Sequence, residues 1–191
     1  FLTSKIKSTS DDYLEKLYLH SQKILNNKGF EQYELANWCK PKYQSRHNQK
    51  YWENEYYISV GSGACGYIPT KNSIGLRYQY EKNHRLFSKN ILDKSSIEQA
   101  LQKNKPHPLL KVEQRNNEHW LIEYISSSIR TQKGINLKTI KNITKKIFEP
   151  NDLIKKAIQQ QQISQVNGTL KLKKTEWFRE NYWALEILEC F

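Results

Sequence analysis

The chain has 191 residues, 37% of them hydrophobic, and a formal net charge of +12 from 31 Lys and Arg against 19 Asp and Glu. That length buries a genuine core in one or two domains, and twelve Tyr, five Trp and six Phe supply anchors that exclude wholesale disorder. The basic balance points either to an acidic partner (nucleic acid, a carboxylate-bearing ligand, a membrane surface) or to lysines spread over solvated faces; the basic residues form no stripe, which favours the second reading. No apolar run reaches the roughly 18 residues of a membrane span and no signal-peptide pattern is present, so no transmembrane segment is expected. Cys39, Cys65 and Cys190 are too few and too far apart for a disulfide framework, and an odd count fits a reducing compartment. Without a CxxC or CxxxC spacing, a zinc or iron–sulfur site made wholly within these residues is not expected. The sequence opens on Phe1 and reads as a piece of a longer polypeptide; nothing in it accounts for the absence of Met.

In chain order, residues 11–28 carry Tyr13, Leu14, Leu17, Tyr18, Ile24 and Leu25 at helical spacing, with Ser10 or Asp11 as cap and Gly29 as stop. A short strand over 30–35 follows, the αβ half of an α/β unit. The Asn37-Trp38-Cys39-Lys40-Pro41 stretch reads as a loop, and the polar, aromatic residues 40–54 as an ordered loop. A second strand over 56–60 enters the turn Gly61-Ser62-Gly63-Ala64-Cys65-Gly66. Residues 75–80 suit a strand and 80–87 the start of a helix; Ser95 or Ser96 caps a helix over 97–102, and Lys105-Pro106-His107-Pro108 is a linker.

Beyond it the pattern predicts helices over 118–130, 137–148 and 151–161, with Pro150 at a helix start. A hairpin about Asn167-Gly168 and a helix over 176–188 close the chain. Three helices, a hairpin and a last helix resemble a winged-helix arrangement. Its functional reading is nucleic-acid binding, through Lys138, Lys141, Lys145 and Lys146; the alternative is a lid or packing domain.

The chemistry-bearing residues gather between Gly29 and Tyr67. Gly61-x-Gly63-x-x-Gly66 matches the dinucleotide fingerprint, but Pro69 disfavours the helix that must start there, so a glycine turn lining some other ligand is the better reading. His47 sits among Arg46, Asn48, Gln49, Tyr51 and Trp52. Imidazole ligates metals and haem iron, amides read polar edges, and aromatic rings stack on flat ligands. The alternatives are a loop histidine bonded to backbone and rings that merely pack the loop. Cys39 and Cys65 are a redox pair or, better, two independent small apolar residues. Nothing marks Glu31 and Glu34 as a catalytic carboxylate pair.

The runs Gly29-Phe30-x-x-Tyr33-Glu34-Leu35-Ala36-Asn37-Trp38-Cys39-Lys40-Pro41, Arg46-His47-Asn48-x-x-Tyr51-Trp52 and Gly61-x-Gly63-Ala64-Cys65-Gly66-Tyr67 resemble the signature of the radical-SAM coproporphyrinogen III dehydrogenase-like family, and within it the haem-chaperone HemW branch. The resemblance continues through Ile129-Arg130-Thr131-x-x-Gly134 and the hairpin to Asn181. It implies an α/β fold: the C-terminal end of a partial (βα)6 radical-SAM barrel over residues 1–104, then a mainly α, winged-helix-like domain over 109–191. It implies S-adenosyl-L-methionine and a 4Fe–4S cluster in the full-length protein, with the cluster cysteines outside this segment and neither cofactor held by the segment alone. Gln49, Gly61, Gly63, Ala64 and Cys65 would lie on the S-adenosylmethionine side, and His47 is the candidate haem contact. The family usually has His or Ser where this chain has Cys65, and Thr-x-x-Gly where it reads Lys173-Lys174-Thr175-Glu176. The function implied is a cytoplasmic haem chaperone serving respiratory haem proteins, the segment alone being inactive. The alternatives are oxygen-independent coproporphyrinogen III dehydrogenation, against which the Arg-His-Asn-x-x-Tyr-Trp run counts, and a winged-helix nucleic-acid-binding module.

Overall fold

A computed structural model describes residues 9–70, 74–90, 107 and 109–191. Helix α1 (Asp11–Asn27) opens with Asp11 and Asp12 in its first turn, where negative charge offsets the helix dipole. It ends where Gly29 takes φ +74°. Strand β1 (Glu31–Glu34) then pairs antiparallel with β2 (Asn37–Cys39), Glu31 opposite Cys39. The predicted loop at Asn37–Cys39 is therefore a strand. The two residues between are short enough to close a hairpin, and the Glu34 carboxylate accepts the Ala36 N–H at 3.0 Å inside that turn.

The predicted loop over 40–54 contains helix α2 (Arg46–Trp52), whose N-terminus is capped by Ser45 Oγ accepting the Asn48 N–H at 3.2 Å. Seven polar and aromatic residues are too few for helical periodicity to register. Residues 56–60, predicted as a strand, make only a bridge, with Tyr57 and Tyr67 exchanging N–H···O bonds of 2.8 and 2.9 Å, while Ile58 and Val60 are exposed. The strand instead starts in the glycine turn: β3 (Cys65–Ile68) joins β4 (Gly75–Tyr80) and β5 (Leu110–Arg115) in an antiparallel sheet of order β3–β4–β5. Helix α3 (His84–Asn90) follows β4. The helix expected over 97–102 and all of the 105–108 linker except His107 lie outside the described residues.

The remaining elements are α4 (Asn117–Ser128), β6 (Ile135–Asn136), α5 (Leu137–Thr144), α6 (Asp152–Gln159), β7 (Ile163–Val166), β8 (Thr169–Leu172), a 3₁₀ helix (Lys174–Arg179) and α7 (Glu180–Leu188). β6, β8 and β7 form an antiparallel sheet in that order. Asn167 (φ +50°) and Gly168 (φ +71°) make the predicted hairpin turn. α5 stops before residue 148 because Lys145 turns left-handed at φ +64°. Pro150 precedes the cap rather than opening the helix, since Asn151 Oδ1 accepts the Ile154 N–H at 2.9 Å. The last predicted helix divides into a 3₁₀ turn and α7, which lets Trp177 enter the core at 1% exposure. That core joins Ile125, Ile135, Ile140, Ile154, Ile163 and Ile187; a smaller cluster of Leu76, Tyr78 and Leu110 backs the β3–β4–β5 sheet. The chain is thus a mixed α/β fold. No helix among the described residues is long and apolar enough to cross a membrane.

Candidate functional site

The glycine turn is built so that one side of its backbone stays open. Gly61 has φ +124°, a conformation side chains rarely adopt, and a Cβ there would meet nothing within 4 Å. The other side is tied down: the Gly63 N–H donates to Glu81 O at 2.9 Å, Ser62 Oγ to Lys82 O at 2.8 Å, and the Tyr80 N–H to Ala64 O at 2.9 Å. Cys65 follows at the start of β3, exposed, with Sγ 3.8 Å from Gly63 O. Gly66 is different in kind, because a Cβ there would fall 2.1 Å from Cζ of the buried Tyr78.

Helix α2 divides its side chains between two directions. His47 and Tyr51, one turn apart, share a face: Tyr51 Oη lies 3.0 Å from His47 Nε2, and the rings meet edge to face with centroids 4.9 Å apart at 89°. Tyr51 in turn meets Tyr57 edge to face at 4.5 Å, and Tyr57 is stitched to β3 through Tyr67. Burial pushes the Tyr57 hydroxyl above its ordinary value, Arg77 opposing; Cys65 is near enough to act on it electrostatically. Burial, reinforced by Tyr56 and Glu123, raises the Tyr67 hydroxyl to about 12. His47 is thus linked through Tyr51, Tyr57 and Tyr67 to β3, the strand that leaves the glycine turn.

Gln49 faces elsewhere. Its Nε2 donates to Gln44 Oε1, and it lines a cavity of about 230 Å³ with Glu34, Trp52, Thr131 and Lys133. None of residues 61–65 reaches that cavity, so the structure does not gather Gln49 with the turn. The sequence sets Glu31 and Glu34 aside as a pair, and the structure separates them: Glu34 is fully buried, its carboxylate accepting from Ala36 N and Asn37 Nδ2, whereas Glu31 is exposed. The available signal was an acid placed just before a two-residue hairpin turn and an Asn. Trp52 Nε1 is buried there without a hydrogen-bond partner among the described residues. Cys39 and Cys190 are buried and Cys65 exposed.

No family model matches the chain. It is 46% identical over 54 residues to the haem chaperone HemW of Synechocystis, a match covering 28% of this chain and 13% of that protein. HemW of Lactococcus lactis is 35% identical over 74 residues (39% and 18%), and HemW of Escherichia coli 34% over 77 residues (40% and 20%). By fold it matches the solved radical-SAM enzyme coproporphyrinogen III oxidase (HemN) of Escherichia coli over 98% of this chain and 42% of that one, with a TM-score of 0.59.

Over these segments the chain resembles the HemW/HemN-like proteins.

Its matches to the curated HemW proteins named here span no more than about a fifth of their length. At 9% identity the HemN match speaks for the fold alone. The glycine turn leaves the backbone at Gly61 open, while Gln49 is bonded to Gln44 on another face.

Proposed function

We propose that this chain is the C-terminal portion of a cytoplasmic radical-SAM haem chaperone that binds haem and delivers it to respiratory haem proteins. The observation that carries the reading is His47: exposed on α2, set in the Arg-His-Asn-x-x-Tyr-Trp run, and joined through Tyr51, Tyr57 and Tyr67 to the strand that follows the glycine turn. The curated relatives bearing the name haem chaperone support it. In this reading residues 1–104 close a partial (βα)6 barrel and 109–191 form a winged-helix-like module, with β5 crossing back onto the first part's sheet. The order α4–β6–α5–α6–β7–β8, with sheet order β6–β8–β7, supports the winged-helix assignment.

S-adenosylmethionine would approach the open backbone of Gly61, with Gly63 and Ala64 holding the turn beside it, Cys65 as the neighbouring side chain and Gln49 contributing after releasing Gln44. Bound together with a 4Fe–4S cluster held elsewhere in the full-length protein, it supplies radical chemistry. This chain's own part is to shape that approach and to present His47 to haem.

The test is a haem titration of the full-length protein followed by Soret absorbance, wild type against His47→Ala. Saturable binding weakened by the substitution supports the chaperone reading and places His47 at the haem. Binding unchanged by it leaves the chaperone reading and removes His47. No haem binding shifts the assignment to coproporphyrinogen III dehydrogenation, assayed next with that substrate.

A further inference from the structure

We infer that Tyr51 is the positioning residue of His47, engaging Nε2 so that Nδ1 is the nitrogen presented to haem iron; the inference rests on the proposed haem-binding role of His47. Three observations converge. Tyr51 Oη is 3.0 Å from His47 Nε2, a hydrogen-bond distance for which the phenol acts as acceptor when Nε2 carries the proton. The edge-to-face packing at 89° fixes the imidazole plane as well as one of its atoms. Tyr51 is itself held from behind by Tyr57, at 4.5 Å and 73°, and Tyr57 is pinned to Tyr67 by the paired backbone bonds.

An exposed histidine on a seven-residue helix would otherwise sample several rotamers and both tautomers. The tyrosine removes much of that freedom before ligand arrives, which is how a partner on one ring nitrogen orients the other toward a metal. The same ladder sets the iron-facing nitrogen at a fixed offset from the glycine turn, because Tyr57 bonds to β3 and β3 begins at Cys65. The spacing follows from helix geometry: residues 47 and 51 are neighbours on one face, and a tyrosine at 49 or 52 would point away.

The experiment compares full-length wild type, Tyr51→Phe and His47→Ala by haem titration, with resonance Raman of the ferrous haem complexes to read the iron–histidine bond. Tyr51→Phe keeps the ring contacts and removes only the hydroxyl, so the fold, checked by circular dichroism, is preserved. The expected result is haem affinity about threefold to tenfold weaker, the worth of one oriented hydrogen bond, with a shifted iron–histidine band. If Tyr51→Phe binds as wild type with an unshifted band, the inference fails while the haem reading stands. Tighter binding by Tyr51→Phe also overturns it, since the hydroxyl then competes with iron for Nε2. If His47→Ala binds haem normally, the underlying reading of His47 has failed instead, and the inference falls with it.

Discussion

Gly66→Ala offers the sharpest test of how the glycine segment is held. The added methyl would lie 2.1 Å from Tyr78 Cζ and 2.3 Å from its Cε1 and Oη. The ring cannot swing aside freely: Tyr78 is buried, its hydroxyl accepts the Ser59 N–H and donates to Ser59 O, both at 3.0 Å, and its face meets Tyr80. Relieving the clash displaces the ring and sacrifices those two bonds. Overpacking costs about 1–3 kcal/mol and each lost hydrogen bond about 1. Partial relaxation of strand β3 brings the net to about 2–4 kcal/mol, a fall in Tm of roughly 5–12 °C. Tyr78→Phe, which removes the bonds without a clash, should cost about 1–2 kcal/mol. Thermal unfolding of both variants decides the matter: a Gly66→Ala protein no less stable than Tyr78→Phe would refute the tyrosine-over-glycine packing as the constraint.

Glu123 bridges Arg77 (2.9 Å) and the mostly buried Arg115. Glu123→Gln leaves these guanidiniums facing each other without an anion between them and should cost about 1–3 kcal/mol by chemical denaturation, allowing for partial exposure. Tyr67 has a hydroxyl pKa raised from 10.0 to about 12 in the folded state. Its neutral form is the one the fold favours, so its contribution is complete below pH 10 and lost as pH climbs from 10 towards 12. The alkaline fall in stability should therefore flatten in Tyr67→Phe. Ser45→Ala removes the cap of α2 and should cost about 1 kcal/mol; because α2 carries His47 and Tyr51, haem titration of this variant should show weaker binding as well.

What the sequence revealed depended on how much of each element's stability is local. Helix α1, with its long amphipathic repeat and Gly29 stop, and the Asn167-Gly168 hairpin carry their signals in their own residues. Strand β5 carries a weaker signal: its apolar alternation stops after Leu110 and Val112, with Gln114 next on that face, and it pairs with β4 in a complete register from Gly75 opposite Arg115 to Tyr80 opposite Leu110. Residues 56–60 show the reverse case, strand-like in composition yet left with a bridge because Ser59 is claimed by the Tyr78 hydroxyl. The glycine turn and His47 could be picked out as chemistry-bearing. Which face of α2 each residue occupies could not, because reading 40–54 as a loop left no periodicity to divide His47 from Gln49.

The pairing of β5 with β4 has a practical consequence for anyone dividing this protein. β4 is the middle strand of its sheet only while residues 110–115 stay attached. A chain cut at residue 104 would expose the backbone donors and acceptors along one side of β4, and the apolar face of Leu76 would lose its Leu110 neighbour. Such a bare edge recruits strands from other molecules. A fragment ending there should form aggregates, whereas one extended past Arg115 keeps its sheet edge closed by its own sequence.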